Sequence, residues 1–289
     1  MKTMLKSILT VALLWSAVSC NTNEMSDINS SAQTQTSNSG NFAAKASDNP
    51  ENPLNNWEEC GKKHNVILTY VITYQKTLDN SGLTNSEIAD KCIMASNNYF
   101  NQKYAQDYNN TQSPFTVAKI RSILNDGDNK FSNVIQSISA SDKVKEKSSE
   151  LINMMYNLAS TDKDTEYADV KASIVDFENS IMNDDNMSQE EKDQLLKATS
   201  VARYSSYLWY NTIDHSDSVS SVTGKKKWWK WLTVAVCDVA GAVAGAAAGA
   251  AAGGGIGSVP GGIAGGIAGA AGASSGAAAL VDWISPDAP

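Results

Sequence analysis

Histidine is nearly missing from this chain: of 289 residues only His64 and His215 carry an imidazole. Cysteine is sparse as well, at Cys20, Cys60, Cys92 and Cys237, and no two of these have the CxxC spacing of a zinc site. A metal centre is therefore not expected. An excess of basic charge is also lacking, with 23 Lys and Arg against 31 Asp and Glu and a net charge of -8. Proteins that hold a phosphate backbone do so through surplus Lys and Arg, so nucleic-acid binding is excluded. From Trp57 to Ile213 no stretch alternates apolar and polar residues with the period of a strand, which leaves an all-α fold class.

Catalytic groupings are equally thin. Cys60 and His64 stand four apart with Glu59 beside them, yet a nucleophile also needs an oxyanion pocket and an orienting third group, and neither can be located. Asp184-Asp185-Asn186 with Glu190 and Glu191 lacks the glycine and ligand spacing of a calcium loop, and reads as a turn followed by the acidic first turn of a helix. The chain is expected not to be an enzyme and to carry no cofactor and no metal.

The N-terminus is built for export. Lys2 and Lys6 precede the apolar run Ile8 to Trp15, and small residues follow, so residues 1–19 read as a signal peptide. Ala17-Val18-Ser19-Cys20 resembles the lipobox of bacterial lipoproteins, which implies acylation of Cys20 as the mature N-terminus; simple secretion after Ser19 is the alternative. Residues 20–53 are mostly Ser, Asn, Thr, Gln and Asp, too polar to offset the entropy of ordering, and read as a tether. The expected location is the bacterial cell envelope, at the outer membrane or cell surface by the lipid anchor.

Residues 54–215 show helical periodicity, about seven helices with polar breaks, predicting an irregular helical bundle. Val66, Ile67, Tyr70, Val71 and Tyr74 form the first stripe, expected to be buried and to end near Asn80-Ser81-Gly82. Thr84 with Glu87, and Ser188 with Glu191, are capping boxes. Tyr204, Tyr207, Trp209 and Tyr210 cover two sides of one helix, as core or as a contact patch. Cys60 and Cys92 are the natural pair for a disulfide, although helical rise sets them at heights differing by roughly 18 Å, and two partly buried thiols are the alternative. Gly61-Lys62-Lys63-His64-Asn65, the run Ala198 to Ser205 and Trp209-Tyr210-Asn211 resemble uncharacterised bacterial lipoproteins that join such a domain to a Gly/Ala-rich tail. That resemblance implies the architecture and no activity.

The tail is the most distinctive stretch. Glycine recurs at every fourth position, at Gly241, Gly245, Gly249, Gly253, Gly257, Gly261, Gly265 and Gly269, with alanine filling most of the rest. In a helix these positions share one face, a seam without side chains that lets another backbone come close. Each mid-helix glycine costs about 1 kcal/mol against alanine in water, so tight packing or lipid must compensate. Residues 232–284 are expected to form a helical hairpin, turning at Gly253 to Pro260, with residues 285–289 as a short end. Leu232 to Ala252 would span about 31 Å as helix, near the thickness of a bilayer core.

In the linker, residues 216–231, Lys225, Lys226, Lys227, Trp228, Trp229, Lys230 and Trp231 read as an interfacial anchor, with Trp283 at the same end of the hairpin. Three placements follow for the hairpin: inserted in a membrane, packed on the helical domain, or a disordered tail. Such combs are similar to those of glycine-zipper envelope proteins and two-peptide bacteriocins, which implies membrane lipid as a partner and a homo-oligomer through the glycine face. The leading expectation is an envelope lipoprotein whose hairpin inserts in a membrane and self-associates, with a membrane-perturbing or bacteriocin-like factor as its sharper form. The other is a surface binding module whose helical domain recognises a protein or glycan while the tail anchors or packs.

Overall fold

The computed structural model describes residues 49–79, 81–108, 115–159, 166–214, 228–252 and 259–284, and all of them are helical or connect helices. The fold is all-α, with nine α-helices and no strand among the described residues. The elements are α1 (Glu58–Thr77), α2 (Asn85–Lys103), α3 (Val117–Leu124), α4 (Ser132–Ser137), α5 (Asp142–Ala159), α6 (Tyr167–Met182), α7 (Gln189–Asp214), α8 (Trp228–Ala252) and α9 (Val259–Ile284). Single 3-10 turns occupy Ala105–Tyr108 and Gly127–Asn129.

Local chemistry sets the helix ends. At α2 the Thr84 hydroxyl accepts from the Glu87 N–H while the Glu87 carboxylate accepts from Thr84 N, so two amides that the helix leaves unpaired are satisfied reciprocally. Ser188 and Glu191 do the same at the start of α7. Gly82 takes φ +82° between α1 and α2, a left-handed conformation that costs glycine nothing. Thr116 caps α3, its hydroxyl accepting from the Lys119 N–H.

The hairpin α8–α9 is the centre around which the other helices are laid. α8 and α9 pair along their length; α7 and α5 cover α8, and α2 and α1 cover α9. Helices apolar around their whole circumference need such cover on every side. Among hairpin positions with described side chains, 234–248 and 263–277, all but Ala244 and Ala248 are buried. The wrap contributes Ile67, Leu68, Ile93, Phe100, Ile120, Leu151, Ile152 and Met155 to this core. A smaller cluster of Val144, Ile181, Met187, Leu195 and Leu196 joins the ends of α5, α6 and α7.

The first helix departs from its expected face. Its buried residues are Cys60, Gly61, His64, Ile67, Leu68 and Val71, whereas Val66 is 45% and Tyr70 41% exposed. The run from Val66 to Tyr74 is apolar on several sides, so periodicity there does not fix the inward direction. The small and polar residues one and two turns earlier do. Gly61 is the point of closest approach to α7, since a Cβ there would strike the Tyr204 ring at 2.6 Å. Tyr70 turns outward and stacks on Tyr99 at 4.4 Å between ring centres.

The N-terminal segment is fastened by a buried ionic cluster. Arg203, fully buried on α7, donates to Glu178 on α6 (3.0 Å), to Glu58 at the start of α1 and to the Pro50 carbonyl. Asn52 and Asn55 donate to the two Glu178 oxygens at 2.6 Å each. A charge pair in which all three guanidinium nitrogens and both carboxylate oxygens have partners is the arrangement in which burial of ions is tolerated.

Candidate functional site

The seam of the hairpin is a backbone contact. Gly241 lies against Gly269 and Gly245 against Gly265, each close enough that an added Cβ would overlap the opposite carbonyl. Four members of the comb are thus spent on one another inside a single chain. Glycines off the comb serve the wrap. Gly272 leaves room for Ile120 of α3, where a Cβ would come within 2.9 Å, and Gly276 for Leu124 at 2.7 Å and Ile93 at 3.1 Å. Of the rest, Gly249 and Gly261 lie in α8 and α9 without a described side-chain environment, and Gly253 and Gly257 fall outside the described residues.

The hairpin also carries one ionisable group into the core. Asp238 of α8 is fully buried, and its Oδ2 accepts from Ser274 of α9 at 2.9 Å and from Ser205 of α7. Ser274 in turn accepts from the Trp209 indole at 3.1 Å. From α1, His64 Nε2 faces the same carboxyl oxygen at 3.5 Å, and the imidazole is fully buried. Burial pushes the Asp238 carboxyl well above the usual carboxylate range, against the pull of the two serines. Burial also holds His64 down near 4, against the pull of its Asn65 hydrogen bond. Ser205, Ser274 and His64 close over Asp238.

Where the hairpin comes nearest the surface, a groove begins. Ala244, Ala247 and Ala248 floor a cleft of about 320 Å³ walled by Phe115, Ile123 and Ile138. This cleft runs into a second of about 760 Å³ between α3 and α4, the two sharing Ser122, Val134 and Ser137. The larger is edged by Asn125, Asn129 and Asn133. Its charged residues are already committed. Arg121 donates to Asp90 at 2.6 Å and to Ser86, while Asp126 accepts from Asn133 (2.6 Å), Asn129 (3.3 Å) and the Val134 N–H (2.8 Å). Those donors hold the Asp126 carboxyl below its ordinary value, against the opposing effect of its own desolvation. What is left at the lip is amide and hydroxyl, over an apolar floor.

No family model, curated protein or solved structure matches the chain. Its chemistry is therefore read from its own residues.

Cys60 and Cys92 are not bridged; both are free buried thiols, as is Cys237. Both belong to the main hydrophobic core. Burial pushes Cys60 up to about 12, only partly offset by Lys197, so the thiolate that a nucleophile needs is disfavoured. His64 is spent on Asn65 and Asp238 and does not activate it. Among the described residues there is no cluster of His, Cys, Asp and Glu that could hold a metal ion. Tyr204 and Trp209 are buried, while Tyr207 and Tyr210 are half-buried, Tyr207 meeting Tyr167 edge-on at 5.2 Å.

Among the described residues no helix is long and apolar enough to cross a membrane. Trp228, Trp229, Lys230 and Trp231 form the first turn of α8 and Trp283 lies in the last turn of α9, their side chains outside what is described. Lys225, Lys226, Lys227 and the lipidation residue Cys20 lie outside the described residues altogether. Sequence reading did not find the groove, because its parts come from α3, α4 and α8. Nor did it pair Asp238 with His64, 174 positions apart, for which no local signal exists.

Proposed function

We propose that this chain is a non-catalytic binding module, exported and held at the envelope through Cys20, in which the Gly/Ala hairpin is the internal core. The groove between α3 and α4 takes the ligand. The observation that carries this reading is the coincidence of the one opening onto the described hairpin, at Ala244 and Ala248, with the floor of the groove. At about 760 and 320 Å³ the two clefts have the size of ligand sites. The lip offers Asn and Ser groups and no uncommitted charge in its larger part. A neutral ligand rich in hydroxyl groups fits that chemistry, and a short neutral saccharide is the class we assign.

Titration with neutral oligosaccharides, followed by amide NMR, tests this. Shifts confined to 118–137 and 244–248, lost in Ser122→Trp and Ser137→Trp variants that fill the groove, support it. A ligand bound equally well by both variants, or recognition of peptides alone, overturns it.

A second reading is favoured by one specific observation: α8 and α9 are apolar around their circumference, which suits lipid as well as a protein core. In this reading the wrap stores the hairpin and releases it into a bilayer, where glycine faces pair between copies. Self-association through those faces would first have to separate Gly241 from Gly269 and Gly245 from Gly265. Dye release from anionic vesicles by the whole protein would favour this reading over the first; intact vesicles at high protein concentration would remove it.

A further inference from the structure

The meeting of Asp238 and His64 contains a proton that follows from hydrogen-bond geometry alone. Asn65 donates its amide N–H to the Tyr204 carbonyl at 2.8 Å, so its Oδ1 points the other way and must accept. What it accepts is the Nδ1–H of His64, at 2.9 Å. The remaining ring nitrogen, Nε2, is then a lone pair in the neutral imidazole. It has no partner other than the facing Asp238 Oδ2 at 3.5 Å, and Asp238 Oδ1 has none among the described residues. Two unprotonated acceptors, both closed to solvent, cannot face each other at this distance without repulsion. One proton must reside with the pair, on the carboxyl or on the ring.

We infer that Asp238 and His64 together hold one proton in the folded protein, so that docking of the hairpin against α1 and α7 takes up a proton from neutral solution.

Among the described residues no other ionisable group competes for the role. On α7 the nearby Arg203 is committed to Glu58 and Glu178, and Ser205 and Trp209 are the residues that face the carboxyl group. On α9 the facing groups are Ser274 and Ser275, the latter bonded to the Ala271 carbonyl. On α1, Cys60 lies one turn from His64 as a protonated thiol, and Lys63 turns away to Asp107 and Tyr108. α5 brings Ser148, Leu151, Ile152 and Met155, with no ionisable side chain buried among them. On α8 itself Cys237 is a buried thiol. α3 and α4 meet α8 near Ala244, about 9 Å further along.

The direction of the pH dependence follows from counting protons. When unfolded, the pair holds none above the ordinary histidine value near 6.5, one between there and the ordinary aspartate value near 4, and two below it. When folded, it holds one from near 4, where His64 protonates, up to the raised value at which Asp238 itself ionises. Stability is then flat through mildly acid solution and falls as pH rises above about 6.5, by close to tenfold in the folding equilibrium per pH unit. The pair is not an acid trigger. It loosens the hairpin from the alkaline side.

The test compares urea unfolding of the whole protein and its Asp238→Asn variant between pH 7 and 8.5. The amide carries its hydrogen at every pH, so the wild-type folding equilibrium should fall relative to the variant by about tenfold per unit. Should Asp238→Asn fail to fold, proton uptake on refolding of the wild type decides: about one proton taken up at pH 7.5 and about none at pH 5.5 in lightly buffered solution. Parallel slopes for the two proteins, or no uptake at pH 7.5 with release of a proton at pH 5.5, overturn the inference.

Discussion

Gly245 on α8 and Gly265 on α9 meet backbone to backbone, with no side chain between the two arms of the hairpin. Each glycine weakens its own helix by about 1 kcal/mol. Dispersion contact along the seam, and the cover that the wrap can then supply, compensate for that cost.

Replacing Gly245 by alanine should therefore force the arms apart, destabilising the protein by about 2–3 kcal/mol. In a domain of this size that lowers Tm by roughly 5–10 °C. Gly266, next to the seam residue Gly265, provides the contrast: a Cβ there would meet Ala242 O at 3.6 Å and the Ala246 Cβ at 3.7 Å, ordinary contacts. Gly266→Ala should leave Tm unchanged or raise it, through up to about 1 kcal/mol of helix propensity. Thermal melts of both variants by circular dichroism check this. Equal losses at the two positions would mean that the arms do not meet at Gly245.

The direction of α1 gives a second expectation. Ile67 is fully buried, so Ile67→Ala should cost about 2–5 kcal/mol. Val66, beside it and 45% exposed, should accept threonine within about 0.5 kcal/mol. Urea midpoints of the two variants distinguish this face from the one that hydrophobicity alone picks out.

That contrast marks how far sequence reasoning reaches. Helix existence, the capping boxes at Thr84 and Ser188, and the comb on residues 241 to 269 are local patterns, and each appears as periodicity or spacing within one segment. Facing direction is legible only when a helix has a strongly polar side, and between Val66 and Tyr74 α1 has only the hydroxyls of Thr69 and Thr73 to mark one. Asp238 illustrates the deeper limit. In sequence it is a lone acid in an apolar run, and only the serines and the imidazole brought by α7, α9 and α1 make its burial tolerable. The groove needs α3, α4 and α8 together, and no segment carries its signature.

The Arg203 cluster predicts strong coupling. Arg203→Met leaves Glu178 buried without a cation and should destabilise by about 3–5 kcal/mol. Adding Glu178→Gln removes the stranded charge, while one of Asn52 and Asn55 still finds an amide oxygen to donate to. The double variant should recover at least about 1 kcal/mol, read as non-additivity in a double-mutant cycle of urea unfolding. Strict additivity would show that the two groups do not sense each other.

The cysteines give the last expectation. Cys60, Cys92 and Cys237 are free and buried, and burial pushes Cys60 up to about 12, Cys92 up to about 11 and Cys237 upward as well. Reaction with a disulfide reagent requires both access and thiolate, and the folded state withholds both. In a Cys20→Ser variant at pH 8, no thiol should react on the timescale of minutes in native buffer, and all three should react in denaturant. The linkage has a definite sign: above about pH 9 the unfolded thiols ionise while the folded ones stay protonated, so stability is lost as pH rises through that range. Labelling should accordingly speed up above pH 9 in step with loss of helix signal. A thiol that reacts at once in native protein would not lie in the core, and if it were Cys237 the hairpin would not be enclosed by its wrap.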